Sequence, residues 1–143
     1  HMSPAVVNIL SPSGTNTALP LDENDDFLPT GLVVRSSSEV YVAGSKGSTP
    51  VVLKLQGARW TALDVVMTQP ITVLEATPDG TLWALEARGG VWKKERNGDW
   101  TSVPVPSGVR VINLRVSPHD GRLWLSTSGA EESWLTLGEV RER

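Results

Sequence analysis

The sequence contains no cysteine, and only two of its 143 residues are histidine. The absence of cysteine excludes disulfide bonds, thiolate catalysis and zinc–sulfur sites. No apolar run approaches the length of a membrane-spanning helix, which needs about 18 residues. There is no basic surplus either: 13 Lys and Arg stand against 16 Asp and Glu, so nucleic acid is not an expected partner.

Helical patterning is also missing, since no window of useful length repeats apolar residues at i, i+3 and i+4. Glycine and proline are abundant instead, at 13 and 10 residues, and 39% of the chain is hydrophobic. That composition favours a turn-rich β fold with a real core. His1-Met2 is typical of a vector-derived start, so residues 1–3 are interpreted as a tail outside the fold.

Aromatic residues are few except for tryptophan, of which there are six against one Tyr and one Phe. The tryptophans recur at a nearly constant interval, which is the signature of a repeat architecture. The aromatic pairs, separated by 40 to 42 residues, are Trp60 with Trp100, Tyr41 with Trp83, Trp83 with Trp124, and Trp92 with Trp134. We interpret these residues as equivalent structural positions in successive repeats.

Each period is typical of strands. Short apolar runs at residues 73–76 and 82–85 flank Pro78-Asp79-Gly80, and runs at 91–95 and 100–105 flank Asn97-Gly98; both separators are hairpin signals. Gly80, Gly98 and Gly121 are expected to adopt the positive φ of tight turns. One period is thus four short strands over about 40–45 residues, the size of a propeller blade.

Counting strands predicts an all-β fold of propeller-like blades: about three repeats, each a four-stranded antiparallel meander. We expect a blade fragment at residues 4–26, full blades at 27–67 and 68–106, and a partial blade at 107–143 with strands near 109–116, 123–126 and 134–140. Three blades are fewer than the four to eight that close a ring. A longer propeller, a ring of several chains, or an open stack remain possible, and completion is favoured because open sheet edges are normally covered.

The middle repeat carries a resemblance. Pro78-Asp79-Gly80-Thr81-Leu82-Trp83, then Gly89-Gly90-Val91-Trp92, then Asn97-Gly98-Asp99-Trp100, resembles the repeats of bacterial sensor-type (two-component-regulator) β-propellers. The likeness extends to residues 117–125 and is weak in the first blade, where Tyr41 replaces Trp. It implies a propeller fold and a sensing or binding role, since such motifs recur across families and define no activity.

Two other propeller families share features with the chain. Ser117, Asp120, Gly121 and Trp124 keep the Gly-to-Trp spacing of the Asp-box of sialidase-like propellers, although the Asp adjoins the Gly instead of preceding it by two. Tectonin-type lectin propellers also carry periodic tryptophans. Both likenesses keep a glycan ligand open as an alternative.

No catalytic set is evident. His119 lies in a Pro-His-Asp-Gly turn and is interpreted as an exposed turn residue. Nucleophile elbows, His-Glu-x-x-His motifs and phosphate-binding glycine loops are missing from the sequence. The carboxylates that could serve a glycosidase pair are Glu75, Glu86, Glu131 and Glu132, but sequence alone places no two of them at a working distance. We therefore expect no catalytic residues and no cofactor, and favour a protein that is not an enzyme.

An acidic stretch at residues 22–26 holds Asp22, Asn24 and Asp26 at the 1, 3, 5 spacing of a calcium loop. Phe27 stands where that loop requires Gly, and Val33 stands where it requires a bidentate Glu. A solvated acidic connection is the favoured interpretation, and no metal site is predicted.

Loops that join strands two to three, and strand four to the next blade, share one face of a propeller. They are predicted at residues 45–50, 67–70, 87–90, 106–108 and 128–132, which makes Lys46, Arg88 and Glu131 candidate contact residues. Arg35, Arg110 and Arg115 lie on or near predicted inner strands and could instead hold an anion in the channel.

Two hypotheses follow for function. The favoured one is a non-catalytic interaction or sensing module for a protein or peptide partner, with a ring completed by self-association as one possibility. The alternative is a glycan-binding or glycan-cleaving propeller that uses periodic tryptophans and loop carboxylates. The first expects buried tryptophans, and the second expects several exposed ones, one per blade.

Overall fold

The computed structural model describes residues 6–21, 27–36 and 38–129, and every regular element among them is a β-strand. The strands are β1 (Val6–Leu10), β2 (Asn16–Pro20), β3 (Phe27–Ser36), β4 (Glu39–Lys46), β5 (Thr49–Gln56), β6 (Arg59–Leu63), β7 (Ile71–Ala76), β8 (Leu82–Glu86), β9 (Val91–Lys94), β10 (Trp100–Val103), β11 (Val109–Val116) and β12 (Leu123–Gly129). Among these residues, no helix is long and apolar enough to cross a membrane.

The strands form four antiparallel sheets in chain order. β3–β6 make a four-stranded meander, here called the first blade, and β7–β10 make a second blade of the same topology. They are flanked by two-stranded sheets: the N-terminal hairpin (β1–β2) and the C-terminal hairpin (β11–β12). The expected all-β fold of four-stranded antiparallel blades is therefore confirmed, and the described sheets do not close a ring.

Two of the three glycines that were expected at tight turns have the expected positive φ. Gly80 and Gly121 have φ of 94° and 70°, which a residue with a Cβ adopts only with strain. The prediction for Gly98 was wrong, because Gly98 has no positive φ. Its amide donates to the Glu95 carbonyl at 2.9 Å, so glycine occupies the last position of a four-residue turn, where an ordinary φ suffices.

Apolar clusters lie between consecutive sheets and hold the stack together. Leu21 and Phe27 pack with Val42 and Leu53 between the N-terminal hairpin and the first blade. The cluster between the two blades comprises Val33, Tyr41, Ala43, Val52, Met67, Ile71, Leu74, Leu82, Ala84 and Trp100. The cluster between the second blade and the C-terminal hairpin comprises Trp83, Leu85, Val91, Val103, Val111, Leu114 and Leu123. Each sheet is thus packed only against its neighbours in sequence.

Strand register shows where the described periodic aromatics lie in each sheet. Tyr41, Trp83 and Trp124 each lie on the second strand, opposite Val33, Glu75 and Arg115 of the inner strand. Trp60 and Trp100 both lie at or near the start of a fourth strand. The inner strands share a second feature that the sequence did not reveal: a β-bulge recurs at Thr30, Thr72 and Ile112.

Burial of the aromatics follows the number of neighbouring sheets. Tyr41, Trp83 and Trp100 are buried, while Trp60 and Trp92 are half-buried. Trp124, which the periodicity assigns to a structural position between blades, is 56% exposed among the described residues, so its burial stays a prediction. No described sheet packs on its side of the C-terminal hairpin. Trp134, the partner predicted for Trp92, lies outside the described residues.

Candidate functional site

A groove of about 640 Å³ lies where the three inner strands end. Three residues at or near the ends of the inner strands, Val34, Ala76 and Val116, occupy equivalent positions in the repeat and line it. Its walls are the turns that follow β7 and β11, with Pro78 and Pro118 at corresponding places one period apart. We call this the inner-strand groove; its lining combines apolar residues at the ends of the inner strands with polar residues of the two turns.

Arg35 fixes one wall of the inner-strand groove. Its guanidinium donates to the backbone carbonyls of Thr77 at 2.5 Å and Pro78 at 2.8 Å, and its Nε forms an ion pair with Glu39 at 3.0 Å. The fork geometry of arginine suits several simultaneous acceptors, and here they lie on two different blades. These contacts engage the guanidinium, and an anion contact at Arg35 stays a prediction.

Glu39 is the hub of the charge cluster behind Arg35. Its Oε2 accepts from Tyr41 Oη and Arg96 Nη1, each at 3.1 Å. Partial burial opposes ionisation, but the Tyr41 hydroxyl and the guanidinium groups of Arg96 and Arg35 outweigh it and hold the pKa of Glu39 below its ordinary value. Burial, reinforced by the bond to Glu39, raises the pKa of Tyr41.

Asp79 organises the turn that forms the Pro78 wall. Its Oδ1 accepts from Thr77 Oγ1 at 2.7 Å and from the Thr81 amide at 3.0 Å, and these bonds lower the pKa of Asp79. Trp83 Nε1 donates to Thr77 Oγ1 at 3.2 Å, which ties the turn to the buried indole. Sequence order alone suggested a structural turn here, and the structure gives it that role.

The second wall is built in a similar way at residues 117–122. Asp120 Oδ1 accepts from the Arg122 amide at 3.1 Å, and this bond is the main cause of the lowered pKa of Asp120. His119 is exposed at the rim, as expected for a turn residue. A Cβ on Gly121 would approach Pro78 Cγ to 2.4 Å, so the two walls touch at this glycine.

The basic residues predicted as contacts lie toward opposite ends of the strands. Lys46 ends β4, Arg88 lies in the turn before β9, and Arg110 lies at the start of β11. A Cβ on Gly89 would lie 3.4 Å from Arg110 Cγ, so Arg110 lies against the turn that bears Arg88. The structure therefore brings Arg88 and Arg110 together, both exposed. Contact of Arg88 and Arg110 with a partner stays a prediction.

Arg115 lies toward the other end of β11, near the inner-strand groove, and is exposed. It is thus apart from the end of the strand that carries Arg110. An anion contact at either residue stays a prediction. Glu131 and the acidic stretch at residues 22–26 lie outside the described residues.

Of the four carboxylates considered for catalysis, Glu75 and Glu86 are engaged in holding the fold, and Glu131 and Glu132 lie outside the described residues. Glu75 Oε1 accepts from the Val116 amide at 2.7 Å, which links the second blade to the C-terminal hairpin. Glu86 accepts from Trp92 Nε1 at 2.7 Å and from the amides of Gln69 and Thr68, which fastens the loop between the blades. Across residues 6–21, 27–36 and 38–129, no group of three or more His, Asp or Glu could hold a metal ion.

The site residues that sequence reasoning missed are the apolar ones. Val34, Ala76 and Val116 belong to no sequence motif. Only the strand register shows that they occupy equivalent positions toward the same end of the three inner strands. The 40-residue period, extended from tryptophans to every inner-strand position, was the signal that could have found them.

Fold and site together define the chain as a β-propeller-type repeat protein. No family model and no curated protein sequence matches it. Its resemblance to solved structures is clear: the streptogramin B lyase structure superimposes with a TM-score of 0.64 at 18% identity, covering 96% of this chain and 47% of the lyase.

Two further propellers are similar. The extracellular domain of the putative hybrid two component system BT4673 from B. thetaiotaomicron has a TM-score of 0.61 at 13% identity, with 95% of this chain and 21% of that one covered. YCF48 bound to D1 peptide has a TM-score of 0.57 at 18% identity, with 95% and 47% covered. The chain thus spans less than half the length of each, and these likenesses establish the fold alone.

Proposed function

We propose that this chain is a non-catalytic interaction or sensing module that binds an extended peptide segment of a protein partner in the inner-strand groove. The observation that supports this proposal is the groove itself. It has a volume of about 640 Å³, is lined by residues near the ends of three inner strands, and has two proline-containing turns as its walls. An extended peptide would place a small apolar side chain on the Ala76–Val116 lining. Its backbone would meet the polar rim at His119 and Asp120.

Similar propellers support a binding role. YCF48 was solved with a peptide, and the BT4673 domain is the extracellular part of a two-component system. The resemblance of residues 78–100 to sensor-type propeller repeats agrees with the second of these. The lyase shows that the fold also hosts enzymes, so the argument for binding depends on the groove.

Tryptophan exposure weighs against the glycan alternative. A lectin of this kind would present an indole face in each blade, yet of the five tryptophans at residues 60–124 only Trp124 is largely exposed. The indoles of Trp83 and Trp92 donate to Thr77 and Glu86, which orients them for packing within the protein.

The proposal is tested by selection of a random displayed peptide library on the immobilised chain, followed by affinity measurement on the selected peptide. His119→Glu places a charge on the groove wall and is expected to weaken binding by at least about tenfold, a difference of about 1.4 kcal/mol. Asn97→Glu, an equally exposed turn substitution in the second blade, is the matched control and should bind as the parent does. Equal weakening by both variants, or retention of glycans without any peptide, would contradict the proposal.

A further inference from the structure

Two arginines hold the turn that forms the Pro78 wall of the inner-strand groove. Arg35, on β3 of the first blade, donates to the carbonyls of Thr77 and Pro78. Arg96, in the turn between β9 and β10, lies against the same wall, where a Cβ on Gly80 would approach Arg96 Nε to 2.5 Å. The turn is thus packed against one guanidinium group from each of the two blades.

Glu39, on β4, joins the two arginines. Its Oε1 pairs with Arg35 Nε at 3.0 Å, and its Oε2 accepts from Arg96 Nη1 at 3.1 Å. Tyr41 Oη donates to the same Oε2. The Glu39 side chain is only 18% exposed, and Glu39 is not among the residues that line the groove. It therefore supports the Pro78 wall from outside the groove.

An ionised carboxylate suits this position better than any neutral group. Both of its oxygens accept hydrogen bonds, so each can engage one guanidinium, and its negative charge offsets two positive charges that are held close together. A glutamine amide has nearly the same shape, but it has one accepting oxygen and an NH₂ group that only donates. In Glu39→Gln, either Arg35 or Arg96 would therefore face a donor and lose its partner.

The location of Pro78 determines the distance between the two walls of the groove. A Cβ on Gly121, in the opposite wall, would approach Pro78 Cγ to 2.4 Å, so the walls already touch there. A displacement of Pro78 would therefore change the space that is open to a ligand. Contacts run without a break from Glu39 through Arg35 and Pro78 to Gly121, which links the first blade to the turn before β12.

We propose that Glu39 is a positioning residue for ligand binding in the inner-strand groove. It holds Arg35, and Arg35 holds the Pro78 wall in the place where the groove accepts an extended peptide. Arg96 is a second support of the same wall. Binding sites keep their geometry through such contacts behind the residues that touch the ligand. This inference rests on the proposed function, because it takes the groove to be the peptide site.

The first test compares the affinities of three variants for the peptide that is selected on the parent chain. Glu39→Gln should weaken binding by about tenfold. Glu95→Gln removes an exposed carboxylate, whose ion pair with Lys93 is 3.8 Å long, and should bind as the parent does. Val52→Ala controls for lost stability, since it truncates a side chain that is buried between the blades and does not line the groove. It should also bind as the parent does, and circular dichroism checks that all three variants are folded.

Nuclear magnetic resonance shows whether Glu39 acts on the wall when no peptide is present. The Gly80 amide donates to the Thr77 carbonyl at 2.9 Å, and Trp83 Nε1 donates to Thr77 Oγ1, so the signals of both N–H groups report on this turn. Glu39→Gln should shift both signals in the free chain, and Glu95→Gln should shift them clearly less. Signals that do not move in Glu39→Gln would overturn the inference, whatever the peptide measurements give.

A double variant tests whether Glu39 acts through Arg35. Arg35→Met already releases the wall, so adding Glu39→Gln should weaken binding by no more than about a further twofold. A second full loss of about tenfold, or a loss in Glu39→Gln no larger than in Val52→Ala, would overturn the inference. If His119→Glu weakens binding and Glu39→Gln does not, this inference fails alone. If neither variant weakens binding, the proposed function fails as well.

Discussion

At the scale of single residues, equivalent aromatics have different roles because their surroundings differ. Trp83 and Trp124 occupy the same position of the repeat, but Trp83 is covered by the C-terminal hairpin and Trp124 has no described sheet on its side. Sequence periodicity assigns both to one structural class. Burial, which depends on the neighbouring sheet, distinguishes Trp83 as a core residue from the exposed Trp124.

Trp83→Ala should lower the free energy of unfolding by about 3–5 kcal/mol, the usual cost of removing a buried large aromatic. The loss includes the cavity and the bond from Trp83 Nε1 to Thr77. Urea denaturation measures it, with Trp124→Ala as the size-matched control. Equal losses at the two positions would show that Trp83 is not a core residue.

Asp79 should make stability depend on acid. Its pKa is lowered from the ordinary 3.8 by the bonds from Thr77 and Thr81, so the folded state binds this proton less readily than the unfolded state does. The contribution is complete above about pH 4 and is lost as pH falls through the folded pKa. Asp79→Asn should therefore flatten the decline in stability below about pH 4, measured by thermal melting across pH. The exposed Asp99→Asn should leave it unchanged.

At the scale of elements, neighbouring blades are joined by polar contacts as well as by apolar packing. Arg35 on β3 reaches carbonyls in the turn after β7, and Thr30 Oγ1 donates to the Ile71 carbonyl at 2.6 Å. Glu75 makes the corresponding link from the second blade to the C-terminal hairpin. These contacts fix how one blade is rotated relative to the next.

Arg35→Met should cost about 2 kcal/mol of stability, because charge-assisted bonds to poorly exposed partners are worth more than surface ion pairs. Arg122 is the matched control: its ion pair with Asp120 is exposed at both ends, so Arg122→Met should cost less than about 1 kcal/mol. Urea denaturation of the two variants decides the matter. Similar small losses would mean that Arg35 does not clamp the blades.

The strands and turns were predictable from sequence, whereas the contacts between blades were not. Pro78-Asp79-Gly80 and the apolar runs around it encode a hairpin locally, since turn chemistry depends on adjacent residues. The bonds of Arg35 and the groove lining at Val34, Ala76 and Val116 depend on how two sheets are placed. Glu75 was considered for catalysis for the same reason: its partner, the Val116 amide, is 41 residues away in sequence.

At the scale of the whole molecule, the described sheets form a linear stack in which each contacts only its neighbours. Such an array gains stability from every interface between sheets that it completes. A ring completed by self-association, which the blade count of the sequence leaves open, would add such interfaces. Association would then contribute to the measured stability of each chain.

Stability should therefore rise with protein concentration. If unfolding separates a dimer, each tenfold increase in concentration adds about 1.4 kcal/mol, which moves the urea midpoint by roughly 0.5–1.4 M at typical denaturant slopes. Leu32→Asp places a charge on an exposed apolar position of the inner strand of the first blade, where a further sheet would pack, and should reduce this dependence. Val66→Asp should retain the parent's dependence. A parent midpoint that does not move over a hundredfold range of concentration would show that unfolding separates no partner copy, and that the stack is stable without one.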